Sequence, residues 1–250
     1  MNESFSMTAS LVLIPGLNNT RAVFDQVVSE LPPDVLGMAL DNPALPSVDE
    51  IAQALLPALP ERFWLAGFSF GGYVAMALLA AVPERVQGIA MICTSPAGES
   101  PAAAAKRQLA LEAVAQGRYF EMIDAQAANA FHPDSLKNEA LMAARKAMVR
   151  DYGAARFSAH IRATMSRPDR SALLDGRRPT LIVSSSHDQA FTPEVMAYAK
   201  AIPGAQQVLI QGAGHLVPME KPTELARTLA NWVLTGSAGQ HRPDTPPTPQ

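Results

Sequence analysis

Ser69 stands between Gly67 and Gly71 in the stretch WLAGFSFGGYVAM (64–76), with Gly72 following. A serine hydroxyl is a weak nucleophile at neutral pH. It attacks a carbonyl when a base takes its proton and a third group orients that base. Five histidines are available. His241 lies in the C-terminal tail, and His132 and His160 lie in a helical stretch where a solvated or packed role is commoner. His215, in GAGHLVPMEKP, follows the apolar run QVLIQG (207–212) and is the candidate base. His187 follows another such run, TLIVSSS (180–186), and its neighbour Asp188 is the candidate carboxylate. An acid there can hold the imidazole of His215 in one tautomer. Together these three types can attack an acyl carbon and pass through a covalent intermediate.

Such residues need elements to bring them together. LVLIPG (11–16), VLGMAL (35–40), FWLAGF (63–68), GIAMICTS (88–95), TLIVSSS and QVLIQG read as strands. Most are near-continuously apolar, the pattern of parallel strands covered on both faces. Helical runs alternate with them. Thr20 can cap a helix through Leu31, Ser47 with Glu50 makes a capping box, and Gly71 to Val82 is stopped by Pro83. The order predicts an α/β fold: a doubly wound, mostly parallel sheet of about six strands, helices on both faces and right-handed crossovers.

The alternation breaks between Pro96 and about Pro179. That alanine-rich stretch reads as helices over roughly 101–116, 119–130, 135–150 and 154–165, an insertion placed as a lid over the strand ends. The expected division is an N-terminal arm (1–10), a core of 11–96 and 179–234, a helical cap (97–178) and a disordered tail (235–250) rich in proline and polar residues.

Within this frame FWLAGF runs into the helix GGYVAMALLAAV with almost no loop. So tight a turn strains its apex and crowds the positions two residues either side. Gly67 and Gly71 remove those clashes. The hydroxyl of Ser69 then stands clear of the sheet at a helix N-terminus, whose dipole favours negative charge.

LVLIPGLNNTRAVFDQV, WLAGFSFGGYVAM, SSSHDQAFTPE and GAGHLVPMEKPTELARTLANWV resemble the α/β-hydrolase fold family over roughly residues 11 to 234, most closely its small, cofactor-free bacterial esterase-like members. The order serine, acid, histidine is that family's order. The resemblance implies Ser69 as nucleophile, His215 as base, Asp188 as orienting acid, and the N–H groups of Leu17 and Phe70 as the oxyanion hole. It also implies no metal and no organic cofactor. With serine at the nucleophile position, the aspartate-nucleophile members (haloalkane dehalogenases and epoxide hydrolases) are poor analogues. Pro15-Gly16 stands where such proteins often carry His-Gly. Some relatives carry the acid one strand earlier, but CTSPAG offers no carboxylate before Glu99, so Asp188 keeps the role.

The expected reaction is hydrolysis of small uncharged carboxylic esters or lactones through an acyl-enzyme. C–C bond hydrolysis and perhydrolysis with the same triad are the alternatives, and a non-catalytic ligand-binding protein is a further one. Phe120, Met122, Phe131 and Met148 of the lid are candidate pocket residues, although such side chains are more often helix core than substrate contacts. Arg150, Arg156 and Arg162 can bind a substrate carboxylate if they turn inward, although solvated lid arginines are commoner.

Composition narrows the partners. The chain has 250 residues, 48% of them apolar, and a net charge of −3. No basic stripe with interleaved aromatics is present, so a small-molecule substrate is expected and nucleic acid is not. The single cysteine, Cys93, excludes an internal disulfide and no Cys/His cluster suggests zinc. No apolar run is long enough to span a membrane, and MNESFSMTAS lacks the basic start and apolar core of a signal peptide. A cytoplasmic location is the expectation, and oligomeric state is not legible.

Overall fold

A computed structural model describes residues 8–240. Six strands, β1 (Ala9–Ile14), β2 (Val35–Ala39), β3 (Phe63–Phe68), β4 (Val86–Ile92), β5 (Thr180–Ser185) and β6 (Gln206–Ile210), form one sheet in the order β2-β1-β3-β4-β5-β6. Every neighbouring pair is parallel. The order steps outward in both directions from β1 and β3, the doubly wound arrangement expected of alternating strands and helices.

Alternate residues of each strand feed two cores. Val12, Ile14, Leu65 and Met91 face one side, where they pack with helices α2 (Val48–Leu55) and α3 (Phe70–Ala81). Leu11, Leu13, Trp64 and Ile92 face the other, against α1 (Asp25–Ser29) and α9 (Pro222–Gln240). Burial on both faces is why these strands are apolar without alternation. Between β4 and β5 stand α4 (Pro101–Ala115), α5 (Tyr119–Ala125), α6 (Ala127–Ala130) and α7 (Glu139–Met165), which form the cap. The cap has a small core of its own around Tyr119, Ile123, Val149, Tyr152, Phe157 and Ile161. The short α8 (Val217–Glu220) precedes α9. No helix among the described residues is long and apolar enough to cross a membrane.

Local differences from the expected elements have local causes. The segment after Thr20 opens as a 3-10 turn (Arg21–Phe24) before α1, and the Thr20 side chain makes no capping bond. Val23, Phe24 and Val27 are buried all the same, so packing rather than capping fixes this segment. Ser47 does cap α2, accepting from the N–H of Asp49 at 3.2 Å. The two helices expected over 135–150 and 154–165 stand as two segments of α7 that meet at a kink between them, the first starting at Glu139 under the cap of Asn138, which accepts from Leu141 N–H at 3.1 Å. The kink is Gly153, at φ 77° and ψ 159°.

The last helix runs past the expected tail boundary at 235, as far as Gln240. A Cβ at Gly236 would meet the Trp64 ring at 2.2 Å, so glycine lets the helix lie on that ring. The hydroxyls of Thr235 and Ser237 donate to the carbonyls of Asn231 and Val233, at 2.5 and 2.8 Å. Polar composition looked like a solvated tail, yet these hydroxyls satisfy themselves on the helix. Residues 241–250, including His241, and the arm before residue 8 lie outside the described residues.

Candidate active site

Ser69 occupies the turn between β3 and α3 with φ 52° and ψ −119°, a conformation that L-residues other than glycine avoid. Such strain costs about 1–3 kcal/mol and persists where surroundings over-determine it. Here the Ser69 N–H donates to the Ile92 carbonyl at 2.9 Å, and Thr94 Oγ1 donates to the Ser69 carbonyl at 2.7 Å. The glycines make the approach possible. A Cβ at Gly71 would lie 2.1 Å from the Ile14 carbonyl oxygen, one at Gly67 would lie 2.5 Å from that of Gly71, and one at Gly72 would meet Thr94 at 2.4 Å. Helix α3 can therefore start directly on top of β1 and β3.

Asp188 and His215 come to this turn from the ends of β5 and β6. Ser69 Oγ lies 2.9 Å from His215 Nε2, and His215 Nδ1 lies 2.8 Å from Asp188 Oδ2. The other oxygen of Asp188 accepts from the N–H groups of Ala190 and Phe191, at 2.8 and 2.9 Å. Burial pushes the Asp188 carboxyl up, but the hydrogen bond and charge of His215 with the two backbone donors outweigh it, so the group lies below the usual carboxylate range. An ionised carboxylate only accepts, so Nδ1 carries the imidazole proton and the bare Nε2 accepts from the serine hydroxyl. The ring of His215 is stacked on Phe191 (centroids 5.6 Å apart) and tilted against Phe68 (5.1 Å).

The cap holds the histidine loop in place. The Ala130 carbonyl accepts from the N–H of His215 at 2.8 Å, and Glu220 bridges loop and cap by accepting from the N–H groups of Gly214 and His132, at 2.9 and 2.8 Å. Ala130 and Glu220 carry no sequence signal of this role, because their contacts form only when the cap docks.

A cavity of about 260 Å³ opens above Ser69. Leu17 and Phe70 line it, as do Ile123 and Val149 from the cap and Phe191 and Leu216 from the core. The N–H of Phe70 belongs to the first turn of α3 and has no partner within the helix. The loop carrying Leu17 is fixed from several sides. Asn42 Nδ2 donates to the Pro15 carbonyl at 3.0 Å, Asn19 Nδ2 to the Leu17 carbonyl at 2.7 Å, and Tyr119 of the cap to Asn18 Oδ1 at 2.9 Å. Asn18 takes a left-handed φ of 62°, which turns the loop toward the cavity.

The lid's candidate pocket residues do not line the cavity. Phe120 is half-exposed, Met122 packs against the cap's own core, and Phe131 is buried with Leu216 and Ala213 on the sheet side. Arg156 pairs with Asp41 at 3.9 Å and lies over the Tyr152 ring, while Arg162 donates to the Ser158 carbonyl on its own helix. Arg150 is exposed. Arg107 and Arg145 line the cavity in their place. Glu99 is not near the triad's imidazole but pairs with Arg107 and Arg167. His160 is packed as expected, and His132 lies edge-on to His187.

Among the described residues, one group of possible metal ligands exists: Cys93, Asp188 and His215, whose ligand atoms lie within 4.8 Å of one another. Asp188 and His215 spend those atoms on each other. Burial first, and then the charge of Asp188, push the Cys93 thiol well above its usual range, so it supplies no thiolate. The donor set fits a proton relay.

A tight serine-bearing turn at the end of the third strand, an acid and a histidine after the last two strands, and a helical cap between the fourth and fifth are the arrangement of an α/β hydrolase. The family model described as "Alpha/beta hydrolase family" matches residues 11–228, and the chain belongs to that family. Over 94 residues it is 32% identical to a pimeloyl-[acyl-carrier protein] methyl ester esterase of Nitrosomonas europaea, covering 34% of this chain and 37% of that protein. The chain thus matches little more than a third of the length of that curated relative. Among solved structures, a thermophilic esterase from Thermogutta terrifontis superposes with a TM-score of 0.81 at 23% identity, covering 91% of this chain and 90% of that one. An enol-lactonase from Burkholderia xenovorans superposes with a TM-score of 0.79 at 20% identity, covering 91% and 92%.

Proposed function

We propose that this chain hydrolyses small carboxylic esters or lactones through a serine acyl-enzyme. The observation that carries the reading is the unbroken relay from Ser69 Oγ through His215 to the buried Asp188. The relatives, named as esterases and a lactonase, support the same class of reaction.

Ser69 Oγ attacks the acyl carbon as its proton passes to His215 Nε2. The imidazolium that forms is held by the carboxylate of Asp188. The carbonyl oxygen, now an oxyanion, lies against the N–H groups of Phe70 and Leu17, each such donor being worth about 10²–10³ in rate. His215 returns the proton to the leaving alkoxide, and the alcohol departs. Water then attacks the acyl-enzyme with His215 again as base, which releases the acid and restores Ser69.

The test is a panel of p-nitrophenyl esters with the wild type and Ser69→Ala, together with a fluorophosphonate probe. Turnover by the wild type, its loss in the folded variant, and labelling at Ser69 support the reading. Labelling at another serine, or full turnover by Ser69→Ala, overturns it.

A further inference from the structure

The cavity wall carries charge that attack on a neutral ester does not use. Arg107 on α4 and Arg145 on α7 both line it, and among the described residues no aspartate or glutamate does. The acids that pair with them stand outside the lining. Glu99, with a side chain 5% exposed, serves Arg107 through Nε and Arg167 through Nη1 at 2.8 Å. Asp124, half-exposed, meets Arg145 Nη1 at 3.2 Å. Three guanidiniums therefore share two carboxylates, and one positive charge in this cluster is left over. A partly buried cation without a full counter-charge is costly unless something completes it.

The two arginines differ in what they can offer. Arg145 is buried and also donates Nη2 to the Ile123 carbonyl at 2.5 Å, so it is a fixed charge. Among the described residues Arg107 donates only through Nε, to Glu99. Its two terminal nitrogens keep four N–H bonds for a ligand. A planar fork of that kind matches the two oxygens of a carboxylate, which a lone ammonium does not. The same lining includes apolar Ile123, Val149 and Phe191, with Tyr73, Gln126 and Thr164 as uncharged polar groups.

We propose that the substrate is an acidic one: a half-ester, or a lactone bearing a carboxylate. Its acyl carbon lies at Ser69 and its free carboxylate is gripped by the Arg107 fork in the field of Arg145. This rests on the hydrolase reading of Ser69 for the chemistry, though not for the binding. It replaces the expectation of an uncharged substrate.

Two measurements on the full chain separate the claims. In the first, monomethyl adipate and methyl hexanoate, alike except for the terminal carboxylate, are compared as substrates. The half-ester should have kcat/KM higher by about tenfold or more, expressed in KM, because a charge-assisted bidentate contact is made in ground and transition states alike. In Arg107→Gln the ratio should fall toward one, and Arg107→Lys should recover part of it. Glu99 keeps Arg167 in these variants, so the cap retains an ion pair there. In the second, calorimetry with Ser69→Ala compares the dicarboxylates from glutarate to suberate with monocarboxylates of matched length. Tighter dicarboxylate binding that is lost on adding Arg107→Gln supports the subsite. Equal affinity for both series, or dicarboxylate affinity indifferent to Arg107→Gln, overturns it. If neither ester is turned over while dicarboxylates still bind through Arg107, the hydrolase reading falls and the subsite stands.

Discussion

The imidazole of His160 lies stacked on the ring of Phe70, with centroids 4.7 Å apart and planes 21° from parallel. Phe70 follows Ser69, and His160 belongs to cap helix α7, so this pair ties the cap to the Ser69 turn. The histidine's tautomer is fixed by its partners. Nε2 donates to the Pro43 carbonyl at 2.7 Å, which can only accept, and Nδ1 therefore accepts a hydrogen bond from the Tyr152 hydroxyl at 2.5 Å. Both nitrogens are used, and the neutral ring is the only form that fits.

Stability should accordingly fall with acid through this residue. Burial lowers the His160 pKa to about 4, helped by the charge of Arg156 and opposed by Pro43. The unfolded chain binds a proton near pH 6.5 and the folded one only near pH 4, so the unfolded state holds more protons between those values. Stability therefore drops as pH falls across that window, by about 3 kcal/mol in all, from roughly two and a half pKa units. Urea unfolding of the wild type and His160→Gln at several pH values checks this. The gap between them should narrow as pH falls from neutrality to about 4. A gap independent of pH would mean that His160 does not titrate this way.

The Ser69 turn should be intolerant of one methyl group. Gly71→Ala would press Cβ to 2.1 Å of the Ile14 carbonyl oxygen, which is strand backbone and cannot swing aside. Either α3 lifts from β1 or the turn relaxes, and both move Ser69 Oγ off His215. We expect kcat to fall by about 10² or more, since misplacement by an ångström can cost that much. Thermal melting with ester turnover tests it. A variant with wild-type activity would show the turn to be less crowded than its geometry.

The two carboxylates that sequence allowed as the triad acid should separate cleanly. Asp188→Asn should cut kcat by about 10⁴, the effect of presenting the base in the wrong tautomer. Glu99→Gln should leave kcat far nearer the wild type. Its cost should fall on thermal stability, through Arg107 and Arg167, because two partly buried cations lose their shared charge. A larger kcat loss for Glu99→Gln would move the acid.

Chain patterning carried the sheet because burial on both faces forces continuous apolar runs, and it carried Ser69 because only a crowded turn needs glycine at 67, 71 and 72. Asp188 and His215 were legible as polar groups directly after such runs. The pocket was not. Large apolar side chains on short cap helices could face either substrate or core, and Phe131 and Met122 join neighbouring cores while Phe120 turns to solvent. Arg107 and Arg145 look in sequence like any solvated helix arginine. Which way each points is set by Glu99, Asp124 and Ile123, and those contacts exist only once the cap helices have packed on one another.

Cavity size should set the acyl preference. A volume of about 260 Å³ is at the small end for a ligand site, and the cap closes it with Ile123 and Val149. Each methylene that finds an apolar wall gains about 0.8 kcal/mol, near fourfold in kcat/KM, until the chain meets the cap. With p-nitrophenyl esters of increasing length, kcat/KM should therefore rise over the first few carbons and then fall. Ile123→Ala removes wall and should shift the optimum to longer chains while weakening the shorter ones, which lose a contact without gaining another. Stability should drop too, since Ile123 is part of the cap core. Steady improvement out to lauroyl esters in the wild type, or an optimum unmoved by Ile123→Ala, would mean that the acyl chain leaves the cavity by another route.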